Sequence, residues 1–201
     1  MPTTDPAPAL ATIALVRHGE TDWNRAGRIQ GRTEVPLNDT GRAQAAATAR
    51  ALAEATADPG GWRGIRASPL GRAIETARII AAGLELAGPH IDDGFWERDF
   101  GAAEGVDVAT AQERWPGLHI PDAEPLDVLA QRTSDALDRV LTEAPNTIVV
   151  AHGAMLRWGI SRITGTEMPR IMNGEVWLLH RTAAGARTER LLDAPTDRPL
   201  A

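Results

Sequence analysis

Two short apolar runs, TIALV at 12–16 and TIVVA at 147–151, each stop abruptly near a His-Gly pair, His18-Gly19 and His152-Gly153. Runs that are apolar throughout and partly β-branched predict buried strands, covered on both faces as in a parallel sheet. Between and around them lie helical patterns. NDTGRAQAAATARALAEA begins at Asn38 as a capped, Ala-rich helix reaching about Ala57 and closed by Asp58-Pro59-Gly60-Gly61. A second helix is expected at 70–86, with Ile74, Ala77, Ile80 and Ala81 at helical spacing. A third spans 126–143, with Leu129, Leu137, Val140 and Leu141 on one stripe, and another starts near Ala154. A weak strand at 65–68 and candidate closing strands at 175–179 and 188–192 complete the pattern. Strands alternating with helices predict an α/β three-layer sandwich, with a mostly parallel central sheet flanked by helices. Ligands of such folds bind beyond the carboxyl ends of the strands, and both His-Gly pairs sit at that edge.

One domain is expected over 11–193, with 91–125 as its least regular, variable part; 1–10 reads as a disordered lead-in and 194–201 as a flexible tail. All 21 basic residues are Arg, and the chain has neither Lys nor Cys. That excludes a P-loop lysine, a Schiff base, disulfides, thiol nucleophiles and Cys-ligated metals. A net charge of −6 argues against a nucleic-acid partner. No apolar run approaches the ~18 residues of a membrane helix, and the N-terminus does not read as a signal peptide. The expectation is a cytoplasmic protein, and the Arg-only, Ala/Gly/Pro-rich composition suggests a bacterial one. His90, His119 and His180 stand alone and Asp92-Asp93 has no nearby His, so no metal site and no cofactor are expected.

A His after a strand is more often a turn or core residue than a catalytic one. Here Arg17 precedes His18, and His152 repeats the arrangement at the end of a different strand. Two imidazoles and an Arg at one sheet edge suit an anion, with one ring available as a nucleophile. Arg72, in the first turn of the second helix, would bring a bidentate fork to an anion at the helix N-terminus; the commoner fate of such an Arg is a solvated helix surface. Glu97 stands in FWERDFGAAEG (95–105), where burial against Trp96 or Phe100 would keep it protonated as a general acid; its plainer reading is a loop Glu.

Together these segments resemble the histidine phosphatase superfamily, the phosphoglycerate-mutase-like proteins. RHGETDWN (17–24) is similar to the family signature, and Arg28-Ile29-Gln30-Gly31 to the next phosphate-site segment. PLNDTGRAQA resembles the family's first helix start, SPLGRAIETA its second-Arg motif, WERDFGAAEG its acid loop and VVAHGAMLR its second-His motif. The resemblance runs from about Thr12 to Leu192 in the expected order. It implies that His18 is the nucleophile that becomes phosphohistidine. Arg17, Arg72 and His152 would bind the phosphoryl oxygens, and Glu97 would protonate the leaving alcohol. Asn24 and Gln30 would complete the pocket, with Thr21 and Gly153 also at the phosphate. The implied substrate is a small phosphorylated metabolite, no metal is called for, and a homodimer is an open option.

The short stretch between Gly105 and Asn146, with no Lys and no Arg-Arg pair, favours a phosphatase over a phosphoglycerate mutase. The brief tail after Leu192 would make a poor lid. A non-catalytic phospho-ligand binder on the same fold is the other alternative, disfavoured because His18 and Glu97 are both present. One departure stands out: where related phosphatases carry Gly-Glu-Ser, this chain reads Ala123-Glu124-Pro125. Trp23, Trp96, Trp115 and Glu104 are the expected substrate wall. An aromatic wall with few further cations would suit a neutral or partly apolar leaving group.

Overall fold

A computed structural model describes residues 9–55 and 61–193. The first strand, β1 (Ala11–Arg17), is followed by a one-turn helix α1 (Asp22–Arg25) and a long helix α2 (Asp39–Glu54). Next come β2 (Gly64–Ala67), α3 (Gly71–Gly83), a two-residue strand β3 (His90–Ile91) and α4 (Val108–Arg114). The chain closes with α5 (Leu126–Glu143), β4 (Thr147–Ala151), α6 (Gly153–Thr164), β5 (Val176–Thr182) and β6 (Gly185–Leu192).

The strands form one sheet in the order β3-β2-β4-β1-β5-β6. β3, β2, β4 and β1 pair in parallel, whereas β5 runs antiparallel to β1 and turns back into β6. Alternation along the two central strands produces the layers. Ile13, Leu15, Val149 and Ala151 face α5 and α6, where they meet Leu137, Val140 and Leu156. Ala14, Val16, Ile148 and Val150 face α2 and α3, where they meet Leu52, Ala77 and Ile80. Because both faces of β1 and β4 are covered, no polar residue interrupts either run.

Several boundaries differ from the sequence expectation. α2 ends at Glu54, and the expected terminator at 58–60 lies outside the described residues, as do 1–8 and 194–201 of the expected lead-in and tail. α3 ends at Gly83 rather than 86, because Glu85 adopts a left-handed φ of 55° and the Leu86 N–H turns back to the Ala81 carbonyl at 2.9 Å. The hairpin strands are longer than expected: Thr182 Oγ1 bonds Gly185 O at 3.1 Å and accepts from the Ala184 N–H at 3.2 Å, which tightens the turn and keeps both strands paired up to it. α1 and α4 were not anticipated. Thr21 and Asn24 cap α1 reciprocally, and the Asp107 carboxylate accepts from the Ala109 and Thr110 N–H groups to start α4.

Candidate active site

The register of the sheet brings the site together. Arg17 of β1 lies opposite Ala151 of β4, so the next residues, His18 and His152, leave the sheet side by side. Their rings are edge to face with centroids 5.1 Å apart. On the other side of β4, Ala67 of β2 pairs with Val150, and Ser68 follows it out of the sheet. Three neighbouring parallel strands thus deliver Ser68, His152 and Arg17-His18 to one edge.

His18 is 2% exposed. Its Nδ1 lies 2.7 Å from the Gly19 carbonyl, which can only accept, so Nδ1 carries the proton. Nε2 is then the lone-pair nitrogen, and Arg72 Nε donates to it at 3.2 Å. Burial, followed by the charges of Arg72 and Arg17, pushes the His18 pKa well below its ordinary value. The ring is neutral, with one nitrogen presented as a base. His152 is likewise pushed well below the usual range, chiefly by burial and then by Arg72, His18 and Arg17. Its Nε2 contacts Ser68 Oγ at 2.7 Å, while Nδ1 is buried with no partner among the described residues.

Arg72 sits at the start of α3 and is 1% exposed. Its other guanidinium nitrogens donate to the carbonyls of Thr33 at 2.8 Å and Gly31 at 2.7 Å, which fixes the plane of the group. The first amide of α3, that of Gly71, is taken by the Glu34 carboxylate at 3.1 Å, so the charge offered by this helix start comes from the Arg72 side chain. Arg17 Nη1 donates to Ile171 O at 2.7 Å, and its Nε is buried without a partner among the described residues. Burial holds the Arg17 pKa down to about 10, which still leaves it charged near neutrality. Arg17 Nε, a buried donor without a partner among the described residues, fits an oxygen of a bound anion.

The Glu97 carboxylate is 7% exposed and meets the start of α6, accepting from the Ala154 N–H at 3.2 Å and the Met155 N–H at 3.0 Å. The Arg98 N–H adds a third bond at 2.8 Å. Burial raises its pKa, against the pull of these amides and the Arg72 charge. Arg132 and Arg32 each donate to the Glu97 backbone carbonyl at 3.2 Å. Arg132 is paired in turn with Glu124, at 2.5 and 2.9 Å. The Ala123-Glu124-Pro125 departure therefore leaves a brace under the acid loop, and the neighbouring Leu126 reaches the cavity.

Arg17, His18, Asn24, Gln30, Arg72, Glu97 and Gly153 all line one cavity of about 700 Å³. His152 sits behind His18 and is fully buried. Thr21, expected at the phosphate, is also fully buried and not on the lining; its Oγ1 lies 3.0 Å from Gln30 Oε1, so it orients Gln30 instead. The expected substrate wall is corrected throughout, since none of its members lines the cavity. Trp23 lies over Gly105, Trp96 lies under the Arg32 guanidinium, and Trp115 packs on the buried cluster of Ile29, Phe100, Ala111 and Ile120. Glu104 accepts from the Arg32 and Thr33 N–H groups at 2.8 and 3.0 Å and ties that loop down. The outer cavity is formed instead by Phe100, Val108, Leu126, Trp158 and Ile171 together with Arg28, Arg98, Arg157 and Arg170. The expectation of few further cations is thereby overturned.

Two contributors were missed by sequence reasoning. Ser68 opens the SPLGR motif and touches His152. Asn173 donates through Nδ2 to the His18 carbonyl at 2.9 Å and to Asn24 Oδ1 at 3.1 Å, holding the nucleophile loop from a segment far along the chain. Among the described residues no cluster of three His, Asp or Glu side chains could hold a metal, and no helix is long and apolar enough to cross a membrane.

The histidine phosphatase superfamily (branch 1) profile matches residues 13–193. The chain is 39% identical over 160 residues to the uncharacterized phosphatase PhoE of Bacillus subtilis, covering 79% of this chain and 80% of that one. It is 34% identical over 183 residues to a metal-independent phosphoserine phosphatase of Arabidopsis thaliana, covering 84% and 75%. Among solved structures, Bacillus stearothermophilus YhfR superposes with a TM-score of 0.75 at 26% identity, over 89% of this chain and 95% of that one. A phosphoglycerate-mutase-like sheet with two histidines and two arginines at its carboxyl edge, read with these matches, leads to one assignment: the chain belongs to the histidine phosphatase superfamily.

Proposed function

We propose that the protein is a metal-independent phosphomonoester hydrolase that works on a small phosphorylated metabolite through a phosphohistidine at His18. The observation that carries this reading is the unprotonated Nε2 of His18 beside the guanidinium of Arg72, with a buried carboxyl group of raised pKa on the same cavity. His18 Nε2 attacks phosphorus, an N–P bond forms and the ester P–O bond breaks. The departing alkoxide takes the proton of Glu97. Water then attacks the phosphohistidine, Glu97 as carboxylate takes the water proton, and the N–P bond breaks to release inorganic phosphate. Through both steps the Arg17 Nε and the Arg72 guanidinium neutralise charge on the phosphoryl oxygens, and His152, beside His18 at the same sheet edge, adds a contact from Nδ1 in the tautomer in which its Nε2 accepts from Ser68 Oγ. Asn24 and Gln30 complete the cradle, with Thr21 orienting Gln30.

The test is hydrolysis of p-nitrophenyl phosphate in excess EDTA, wild type beside His18→Ala. Phosphate release that survives the chelator and vanishes in the variant supports the reading. Undiminished turnover in His18→Ala contradicts it. Wild-type activity only after priming with a phosphorylated donor would instead favour the mutase alternative.

A further inference from the structure

The chain as a whole is acidic, with a formal net charge of −6. Its cavity is the reverse: Arg17, Arg28, Arg72, Arg98, Arg157 and Arg170 line it, against Glu97 as the sole lining carboxylate among the described residues. A phosphoryl group engages the two arginines beside His18. Arg98 is committed to the acid loop, donating from Nε to Glu124 O at 2.9 Å and stacking 4.9 Å over Phe100. Three cations are left over. Arg28 makes one long bond to the Gly105 carbonyl at 3.3 Å. Arg157 is anchored through Nε to the Met168 carbonyl at 2.9 Å, and its outer nitrogens keep a 3.4 Å contact to Glu167, whose side chain is 89% exposed and so screens the charge weakly. Arg170 lines the cavity with no hydrogen bond or ion pair among the described residues.

Arg170 is nevertheless held in place. Two residues before it, the Met168 carbonyl accepts from Arg157 Nε at 2.9 Å and the Met168 N–H bonds Ser161 Oγ at 2.9 Å. One residue after it, the Ile171 carbonyl accepts from Arg17 at 2.7 Å. The backbone on both sides of residue 170 is thus pinned by arginines of the same cavity. The charge of Arg170 reaches the phosphoryl end: burial is the main cause of the lowered Arg17 pKa, and Arg170 is first among the repelling charges. Like charges gathered in a concave, partly apolar site repel one another unless an anion joins them, and they concentrate anions from solution.

We propose that Arg170, with Arg28 and Arg157, forms a second anion subsite of this cavity, and that the substrate is a phosphomonoester whose alcohol portion carries a further anionic group, a carboxylate or a second phosphate. This rests on the phosphatase reading for the phosphoryl end. The apolar side chains of Phe100, Val108, Leu126 and Trp158 border the space a carbon skeleton between the two anions would occupy.

The experiment compares matched esters that differ at the far end: glycerol 3-phosphate (neutral), 3-phosphoglycerate (carboxylate) and propane-1,3-diol bisphosphate (second phosphate). Turnover is read in wild type, Arg170→Ala and Arg170→Lys, and binding of the same compounds is read by calorimetry in His18→Ala, which needs no chemistry. A preference of about tenfold or more for an anionic ester over glycerol 3-phosphate is expected, the size of one charge-assisted hydrogen bond. It should collapse through KM in Arg170→Ala and return in part in Arg170→Lys. Whichever anionic ester shows it identifies the group recognised. Equal binding of neutral and anionic esters, or a preference untouched by Arg170→Ala, overturns the subsite whether or not the esters are hydrolysed. Preferential binding with no turnover of any ester, p-nitrophenyl phosphate included, would keep the subsite and overturn the phosphatase reading.

Discussion

Glu97 and Arg72 show how single side chains are tuned by what surrounds them. Glu97 receives three backbone N–H groups, an arrangement that favours a carboxylate, yet its burial is deep enough to push the pKa upward. As a proton donor it matters most when the leaving alcohol is a poor one. Glu97→Gln is therefore expected to slow alkyl phosphates far more than p-nitrophenyl phosphate, whose leaving group hardly needs protonation; equal losses on both would remove its role as acid. The signs of the two shifts also set a pH profile. Activity on alkyl esters should fall as pH rises through the elevated pKa of Glu97, and as pH falls through the depressed pKa of His18. In Glu97→Gln the alkaline fall should disappear from the pH dependence of kcat/KM. Arg72→Ala should lower kcat by roughly 10²–10³, since a preorganised charge and the anchor of the Gly31 and Thr33 carbonyls go together; a near-normal rate would mean the phosphoryl group sits elsewhere.

Among the elements, the approach of the nucleophile loop to α2 is the tightest constraint. A Cβ on Gly19 would lie 2.2 Å from the Gly41 carbonyl oxygen, and one on Gly41 would lie 2.2 Å from the Glu20 carbonyl oxygen. Two backbones touch here, so neither glycine tolerates a side chain without movement of the loop that bears His18. Gly41→Ala is expected to lower stability by about 2–3 kcal/mol, or roughly 4–12 °C in Tm, and to reduce turnover as the loop shifts. An unchanged melting curve would show that the loop has room. This scale also separates what could be read in the sequence from what could not. The strands ending in His18 and His152 were legible because an apolar run and its abrupt end are local features. So was α5, whose apolar stripe is sustained over four turns. Ser68 and Asn173 act across 84 and 155 positions of chain, and no local pattern announces such a contact. The substrate wall is not legible in the sequence for a related reason. Residue type alone points Trp96 and Trp115 of the irregular segment, and Trp23 of α1, to a substrate wall, whereas the fold uses all three for its own packing and leaves arginines from α6 and the loop after it at the cavity.

For the whole molecule, the site is a store of electrostatic and desolvation strain carried by a well-packed sheet. His18 and His152 are both neutral in the fold, while in the unfolded chain they take up protons near the usual imidazole pKa of about 6.5. Below that pH the unfolded state binds more protons, so stability is lost as pH falls, by up to about 1.4 kcal/mol per pH unit for each ring. Glu97, protonated first in the folded state, acts in the opposite sense and offsets part of the loss. The urea midpoint should drop between about pH 7.5 and pH 5.5, and drop less in His152→Ala, which removes one of the two rings; a flat midpoint would mean the two rings titrate as freely as in solvent. The architecture itself was legible at this scale because alternating strands and helices admit few layered solutions, and parallel strands bring their carboxyl ends to one edge. The distribution of charge was not, because a net charge summed along a chain says nothing of which side chains face inward. The central claim is that His18 becomes phosphorylated during turnover, and the most direct measurement is to quench the enzyme in alkali while it hydrolyses a phosphate-labelled ester, then map the label. An acid-labile, alkali-stable label on His18 that is absent from His18→Ala is the predicted result. Steady turnover with no label on His18, or with label on another residue, would contradict it.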